Sequence, residues 1–198
     1  MSTVTCDITI STDGYAAGPD QSLEHPLGEG GERLHRWMFE QPDENAAEIA
    51  AILESGAYIM GRNMFGPGRG EWDDAWTGWW GDEPPYHAPV FVLTHSPRAP
   101  LTLAGGTTFT FVTDGIESAM EQARAAAGEK SVAVAGGAST VRQYLAAGLI
   151  GELRLHIAQV VQGAGELLLE GLDDVRLEQV SSVENELVTH VVYRVALG

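Results

Sequence analysis

The stretch Val132–Leu149, VAVAGGASTVRQYLAAGL, narrows the possible folds more than any other part of the chain. It opens with small or β-branched apolar residues, Val132 to Ala135, as a fully buried strand does. Gly136 and Gly137 follow, then Ala138-Ser139-Thr140. Beyond them Val141, Tyr144, Leu145 and Leu149 recur at the spacing of one helix face, and Gly148 stands where a helix stops. The pattern predicts strand, glycine turn, helix. Such a junction offers unpartnered backbone N–H groups at the positive end of a helix dipole, and glycines let a phosphate come close. Ser139 or Thr140 is expected to cap the helix and to donate to a phosphate oxygen. On these residues alone two readings stand: a phosphate site, or the tight turn of any α/β protein.

Length and charge limit the rest. A chain of 198 residues is expected to form one domain, residues 1–198, with a single sizeable core. Its net charge of −17 argues against nucleic acid or an anionic membrane surface as a partner and leaves a small molecule. Lys130 is the only lysine, so the placement of the arginines carries information. Cys6 is the only cysteine, which excludes an intrachain disulfide and a cysteine-rich metal site. The N-terminal MSTVTCDITIS has neither the charged nor the apolar region of a signal peptide, and no apolar run reaches membrane-span length. The cytoplasm is the expected compartment.

Val4–Ser11 alternates, with Val4, Cys6, Ile8 and Ile10 on one face and Thr5, Asp7, Thr9 and Ser11 on the other, and reads as a half-buried strand. Cys6 falls on the apolar side as a small core residue. Asp13-Gly14 marks a turn, and a glycine-rich loop runs from Ala16-Ala17-Gly18 to Gly31, long enough to suggest function. Leu34–Phe39 reads as a short helix. Asn45–Ser55 reads as a longer one, with Asp43 and Gly56 as caps and Ala46, Ile49, Ala50 and Leu53 as its buried face. Ala57–Met60 is a buried strand that ends in Gly61-Arg62, a second strand–glycine junction, this one with an arginine suited to a surface position or to a phosphate. The segment 66–89 holds Trp72, Trp76, Trp79 and Trp80; it fits a wall over a planar ligand, a subunit contact, or a loop pinned to the core by its indoles. Val90–Leu93 is a strand followed by Thr94-His95-Ser96-Pro97-Arg98, and Thr107–Val112 is another. Asp114 and Glu117 have capping-box spacing ahead of a helix. Glu152–Ala158 is a strand before the loop Gly163-Ala164-Gly165, and Arg176–Val183 with Leu187–Val195 forms a closing antiparallel hairpin. The sum is an α/β fold with a mixed sheet.

The histidines His25, His35, His87, His95, His156 and His190 are scattered without metal-ligand spacing, so no metal site is expected. There is no GxSxG elbow and no GxxxxGKS loop. In open α/β sheets ligands gather at the carboxyl ends of strands, where the three candidate loops lie.

Ser11-Thr12-Asp13-Gly14-Tyr15-Ala16-Ala17-Gly18, Ile59-Met60-Gly61-Arg62-Asn63-Met64-Phe65, Val92-Leu93-Thr94-His95-Ser96 and Val134-Ala135-Gly136-Gly137-Ala138 stand in the order found in dihydrofolate reductase-like proteins, and nearly the whole chain takes part in the resemblance. The later chain, Leu155–Ala158 through Gly163-Ala164-Gly165, is similar to the riboflavin-biosynthesis reductase (RibD C-terminal) branch. The resemblance implies a dihydrofolate reductase-like α/β fold: a mostly parallel central sheet, flanking helices and a C-terminal antiparallel hairpin. It implies NADPH as cofactor. Gly61-Arg62 and Thr94-His95-Ser96 would hold the adenosine 2′-phosphate and adenine, with help from Arg98. Ala135-Gly136-Gly137 and Ala138-Ser139-Thr140 would hold the pyrophosphate, and Ala17-Gly18 would lie beside the nicotinamide. Trp37, Trp79, Gly163 and Gly165 are candidates on the substrate side, and Asp13 and Glu32 are candidate catalytic acids. One departure stands out. The acid that dihydrofolate reductases carry on the first helix is replaced by Leu34, with His35 beside it. The expectation is therefore an NADPH-dependent reductase of a small pterin- or pyrimidine-like heterocycle. The alternatives are a noncatalytic ligand-binding protein of the same fold and a ribosylaminouracil-type reductase of riboflavin synthesis. A homodimer is also implied by the branch.

Overall fold

The computed structural model describes residues 3–66 and 70–198. In chain order the strands and helices are β1 (Val4–Ser11), β2 (Tyr15–Ala17), α1 (Arg36–Glu40), α2 (Ala46–Ile52), β3 (Ala57–Gly61), α3 (Arg62–Phe65), β4 (Pro89–Leu93) and β5 (Leu101–Thr102). They continue with β6 (Thr108–Val112), α4 (Ile116–Ala127), β7 (Val132–Gly136), α5 (Ala138–Ala146), β8 (Glu152–Ala158), β9 (Glu166–Leu167), β10 (Val175–Glu184) and β11 (Val188–Leu197). One sheet has the order β10-β11-β8-β1-β7-β3-β4-β6-β5, and β2 pairs with β9 in a small ribbon. From β8 to β6 every neighbouring pair is parallel; β11 joins β8 antiparallel and β10–β11 is the expected hairpin.

Two apolar clusters sit on the sheet. One packs α4 and α5, through Met120, Ala123, Val141, Tyr144 and Leu145, against Cys6, Ile59 and Val134. The other collects Tyr58, Met60, Phe65, Val90, Val92 and Phe109, with Trp72, Trp76 and Trp80 packed against it. The tryptophan-rich segment is therefore largely pinned to the core, Trp72 by an N–H donated to the Ser96 carbonyl and Trp76 by one donated to Phe65. Residues 67–69 of that segment lie outside the described residues.

Several local expectations are corrected. β1 is not half-buried: it lies between β7 and β8, and Thr5, Thr9 and Ser11 on its polar face are buried along with its apolar face. Leu34–Phe39 does not form a single helix, because Leu34 and His35 belong to a 3-10 turn, Gly31–His35, that precedes α1. α2 starts later than Asp43 and stops earlier than Gly56 suggest, with Asn45 and Leu53 in the flanking positions; the Gly56 N–H bonds to Ser131 instead. None of its residues is buried, and its apolar side faces a cleft. Asp114 does not cap α4. Gly115 takes that position at φ 94°, a left-handed value that a glycine adopts without strain.

Candidate functional site

The carboxyl ends of β3, β4 and β7 open onto one cleft of about 1070 Å3. Its upper rim is largely backbone and small side chains. Gly136, Gly137, Ala138, Ser139 and Thr140 line it, as do Ala135, Gly61, Arg62, Thr94, His95, Ser96 and Ala17. The Gly136–Gly137 peptide is cis. Gly137 occupies the N-cap position of α5 in an extended conformation and supplies no side-chain cap. Neither Ser139 nor Thr140 caps the helix, because both lie within its first turn, so the leading N–H groups of α5 have no side-chain acceptor. Thr140 is buried and does a different job. A Cβ on Gly61 would lie 2.4 Å from Thr140 Oγ1, so only glycine lets β3 pass beneath α5.

Arg62 and Arg142 line the same cleft. Arg62 donates to the carbonyls of Gly70 (2.5 Å) and Glu71 (3.2 Å) and lies over the Trp72 ring, 3.8 Å from its centroid. Arg142 donates to the Leu167 carbonyl. Among the described residues neither arginine pairs with a carboxylate; the arginine ion pairs involve Arg36, Arg154 and Arg194. Two uncompensated cations beside an uncapped helix N-terminus, in a chain of net charge −17, form a local field suited to a polyanion. Arg98 lies outside the lining. Its guanidinium donates to the carbonyls of Asp74 (3.1 Å) and Trp76 (2.6 Å), so it fastens the tryptophan segment.

The opposite wall comes from the 3-10 turn, α1 and α2: His35, Met38, Phe39, Ile49, Ile52 and Leu53. Phe39 is 79% exposed and Leu53 39%, apolar surface that a ligand in the cleft would cover. Trp79 lines the cleft, Gly18 and Gly165 line an adjoining hollow, and Gly163 lies beyond both. Trp37 is 1% exposed and sits beneath the cleft, its N–H donated to Thr9 Oγ1 at 3.3 Å. Asp13 and Glu32 are exposed and stand outside the lining. Asp13 accepts from the N–H groups of Gln162 (2.9 Å) and Gly163 (2.8 Å) and clamps that loop; these bonds hold its carboxyl down at about 2. Leu34, at the place of the missing acid, is fully buried.

The floor holds the residues that sequence reasoning missed. Strand register places Asp7 beside Arg154 and Thr9 beside His156, and His156 directly across from His190. His156 and His190 meet through their Nδ1 atoms at 2.7 Å, and Trp37 packs on both rings with centroids 4.9 and 5.0 Å away. His190 Nε2 is 2.8 Å from Asn45 Oδ1. Burial, reinforced by His190 and Arg154, holds His156 down at about 3, and burial also lowers His190, so both rings are neutral near pH 7. Asp7 moves the other way. Burial raises its carboxyl to about 6 in spite of Arg154, whose Nη1 stands 3.6 Å away while its guanidinium is held by Glu152 at 2.6 Å. The available signal was the polar stripe Thr5, Asp7, Thr9 and Ser11 on a strand of a parallel sheet, where both faces are normally apolar. Among the described residues no group of acids, histidines and cysteines is arranged to hold a metal.

Residues 2–190 match the family model of the RibD C-terminal domain. No curated protein matches the chain by sequence. Among solved structures, a protein from Shewanella sp. PV-4 described as a riboflavin biosynthesis protein superposes with a TM-score of 0.65 at 19% identity, over 99% of each chain. A pyrimidine reductase-like protein from Corynebacterium diphtheriae gives 0.60 at 14% identity, over 100% of this chain and 93% of that one. The dihydrofolate reductase of Enterococcus faecalis, solved with NADP(H), gives 0.58 at 12% identity, over 98% and 96%. At such identities the likeness is one of fold.

Proposed function

Since the chain belongs to the RibD C-terminal domain family, we propose that it is an NADPH-dependent reductase of a small planar nitrogen heterocycle. The reading is carried by one observation: the uncapped start of α5 and the uncompensated Arg62 and Arg142 face the same cleft, in an otherwise strongly acidic chain. The residues present fit the cofactor. Gly136, Gly137 and the first turn of α5 offer backbone N–H groups to a pyrophosphate. Arg62, with Thr94, His95 and Ser96 beside it, suits the 2′-phosphate and the adenosine. Ala17 and Gly18, with no bulky side chain, suit contact with the nicotinamide ring. When bound, NADPH would supply the hydride, and the protein the orientation and a dry wall.

In this reading the wall made by Met38, Phe39, Ile49, Ile52 and Leu53 takes the flat face of the acceptor and excludes water. The test is coenzyme binding followed through tryptophan emission, since Trp72 packs on Arg62 and Trp79 lines the cleft. Arg62→Ala is expected to weaken NADPH at least about tenfold, the worth of one charge-assisted contact, and NADH by less than twofold. Equal losses for the two coenzymes would remove the 2′-phosphate from the proposal. No binding of either coenzyme by the wild-type protein would remove the reductase reading itself.

A further inference from the structure

Two acceptors in the cleft floor accept no hydrogen bond from the protein, although Arg154 Nη1 stands 3.6 Å from one of them, Asp7 Oδ1. Asp7 Oδ1 and His156 Nε2 are both buried without a hydrogen-bond partner. Their side chains are 6% and 4% exposed, the atoms lie 3.9 Å apart, and both residues line the cleft. A buried acceptor without a hydrogen bond is costly, so the pair is an incomplete arrangement that a donor would complete.

The bare state of His156 Nε2 follows from the residues behind it. Asn45 Nδ2 donates to the carbonyls of Trp37 (3.3 Å) and Gln41 (2.7 Å), which turns its Oδ1 toward Asn185 Nδ2 (2.7 Å) and His190 Nε2 (2.8 Å). His190 must then donate from Nε2 and accept at Nδ1, and His156 fills that contact with its own Nδ1 proton. A neutral imidazole has only one N–H, so His156 Nε2 is left as a lone pair beside Asp7. The surrounding charged and titratable groups do not alter this. Arg154 on β8 neighbours Asp7 Oδ1 at 3.6 Å, beyond hydrogen-bond reach, and is bonded to Glu152; Tyr58 on β3 offers no cation, and burial holds His35 on the 3-10 turn neutral. On α2, Glu48 acts on His190 rather than on His156.

We propose that Asp7 and His156 form the anchoring subsite for the hydride acceptor, and that they take two adjacent donors, a ring N–H and an exocyclic amino group, from one edge of an aminopyrimidinone-type ring. The subsite rests on the reductase reading for its purpose but not for its existence. A ring that turns a carbonyl to this place meets two lone pairs; one that turns an N–H and an amino group meets two acceptors.

The discriminating pair of probes is pterin, which carries the amino group, and lumazine, which has a carbonyl there. Calorimetry on the wild-type protein is expected to show pterin bound at least tenfold more tightly. Pterin, and not lumazine, is expected to shift the 15N resonance of His156 Nε2 away from its bare-acceptor position, with the peak assigned by its loss in His156→Gln. Asp7→Asn is expected to remove at least tenfold of pterin affinity and to leave NADPH affinity within twofold. Should Asp7→Asn fail to fold, the wild-type comparison and the resonance decide. Pterin bound no better than lumazine, no pterin binding at all, or an unmoved His156 resonance each overturns the subsite. Loss of NADPH binding with the pterin result intact would overturn the reductase reading and leave the subsite standing.

Discussion

At the rim of the cleft the lining is backbone: glycines at 61, 136 and 137 and the opening turn of α5, all set by short consecutive stretches of chain. At the floor it is side chain: Asp7 from β1, His156 from β8, His190 from β11 and Asn45 ahead of α2, brought together from places as far apart in the chain as positions 7 and 156. The rim depends on what is absent, a Cβ at Gly61 or a side-chain cap on α5. The floor depends on what is present, down to which nitrogen of each imidazole carries a proton. For stability, a substitution that removes polar atoms should therefore be tolerated at the rim and damaging at the floor, and one that adds atoms should do the reverse.

The largest expected effect tests the floor as a unit. Asn45→Leu leaves the His190 N–H, the Gln41 carbonyl and Asn185 without their partner, and at about 1–3 kcal/mol for each buried group it should cost about 4 kcal/mol in urea denaturation. Ser139→Ala at the rim should cost less than about 0.5 kcal/mol, as an exposed change outside any network does. Similar losses at the two sites would erase the distinction. Next comes the pH dependence of Asp7. Its carboxyl rises from 3.8 to about 6 on folding, so the folded state holds its proton more tightly and stability falls as pH climbs through that interval, by about 3 kcal/mol in all. Asp7→Asn abolishes this loss. Its melting temperature should match the wild type near pH 4 and exceed it above pH 6, and a constant offset across that range would mean that burial does not raise Asp7.

This division also explains what could be read from the sequence. The rim was legible because each part is local. VAVAGG followed by a helical repeat specifies strand, turn and helix within a few residues, and Gly61-Arg62 repeats the device. The closing hairpin was legible for the same reason, since alternation and turn residues act over short distances, whereas the mostly parallel order of the sheet followed from the family resemblance. The floor was not legible. His156 and His190 lie on β8 and β11, and only the antiparallel register of those strands makes them face each other. The polarity of β1 was visible, but it suggested a solvent face because the central place of that strand is a property of the whole sheet. Helix caps failed for a third reason: Gly115 and Gly137 took positions that Asp114, Ser139 and Thr140 suit chemically, because the chain has to enter α4 and α5 along paths that the strands before them fix.

The smaller effects sharpen the comparison from the rim side. Gly61→Ala adds one carbon 2.4 Å from Thr140 Oγ1 and should cost about 2 kcal/mol through overpacking. Thr140→Ala in the same chain removes that oxygen; the next contact, at 3.6 Å, belongs to the Cβ and is ordinary, so the double variant should recover most of the loss in a thermal-melt cycle. No recovery would place the strain elsewhere in the β3–α5 contact. The smallest effect is expected at Asp13, which is exposed and whose two oxygens receive the Gln162 and Gly163 N–H groups. Those bonds depress its carboxyl to about 2, so what they add is present at neutral pH and is lost only as pH falls below about 4 toward that value. Asp13→Ala should leave the melting temperature at pH 7 nearly unchanged while hydrogen exchange at the Gln162 and Gly163 amides accelerates at least about tenfold, as expected when a local clamp opens without global unfolding. Those two amides separate a clamp from a catalytic acid: if turnover falls while their exchange stays slow, Asp13 acts on the substrate, and the division between a backbone rim and a side-chain floor must be redrawn to include it.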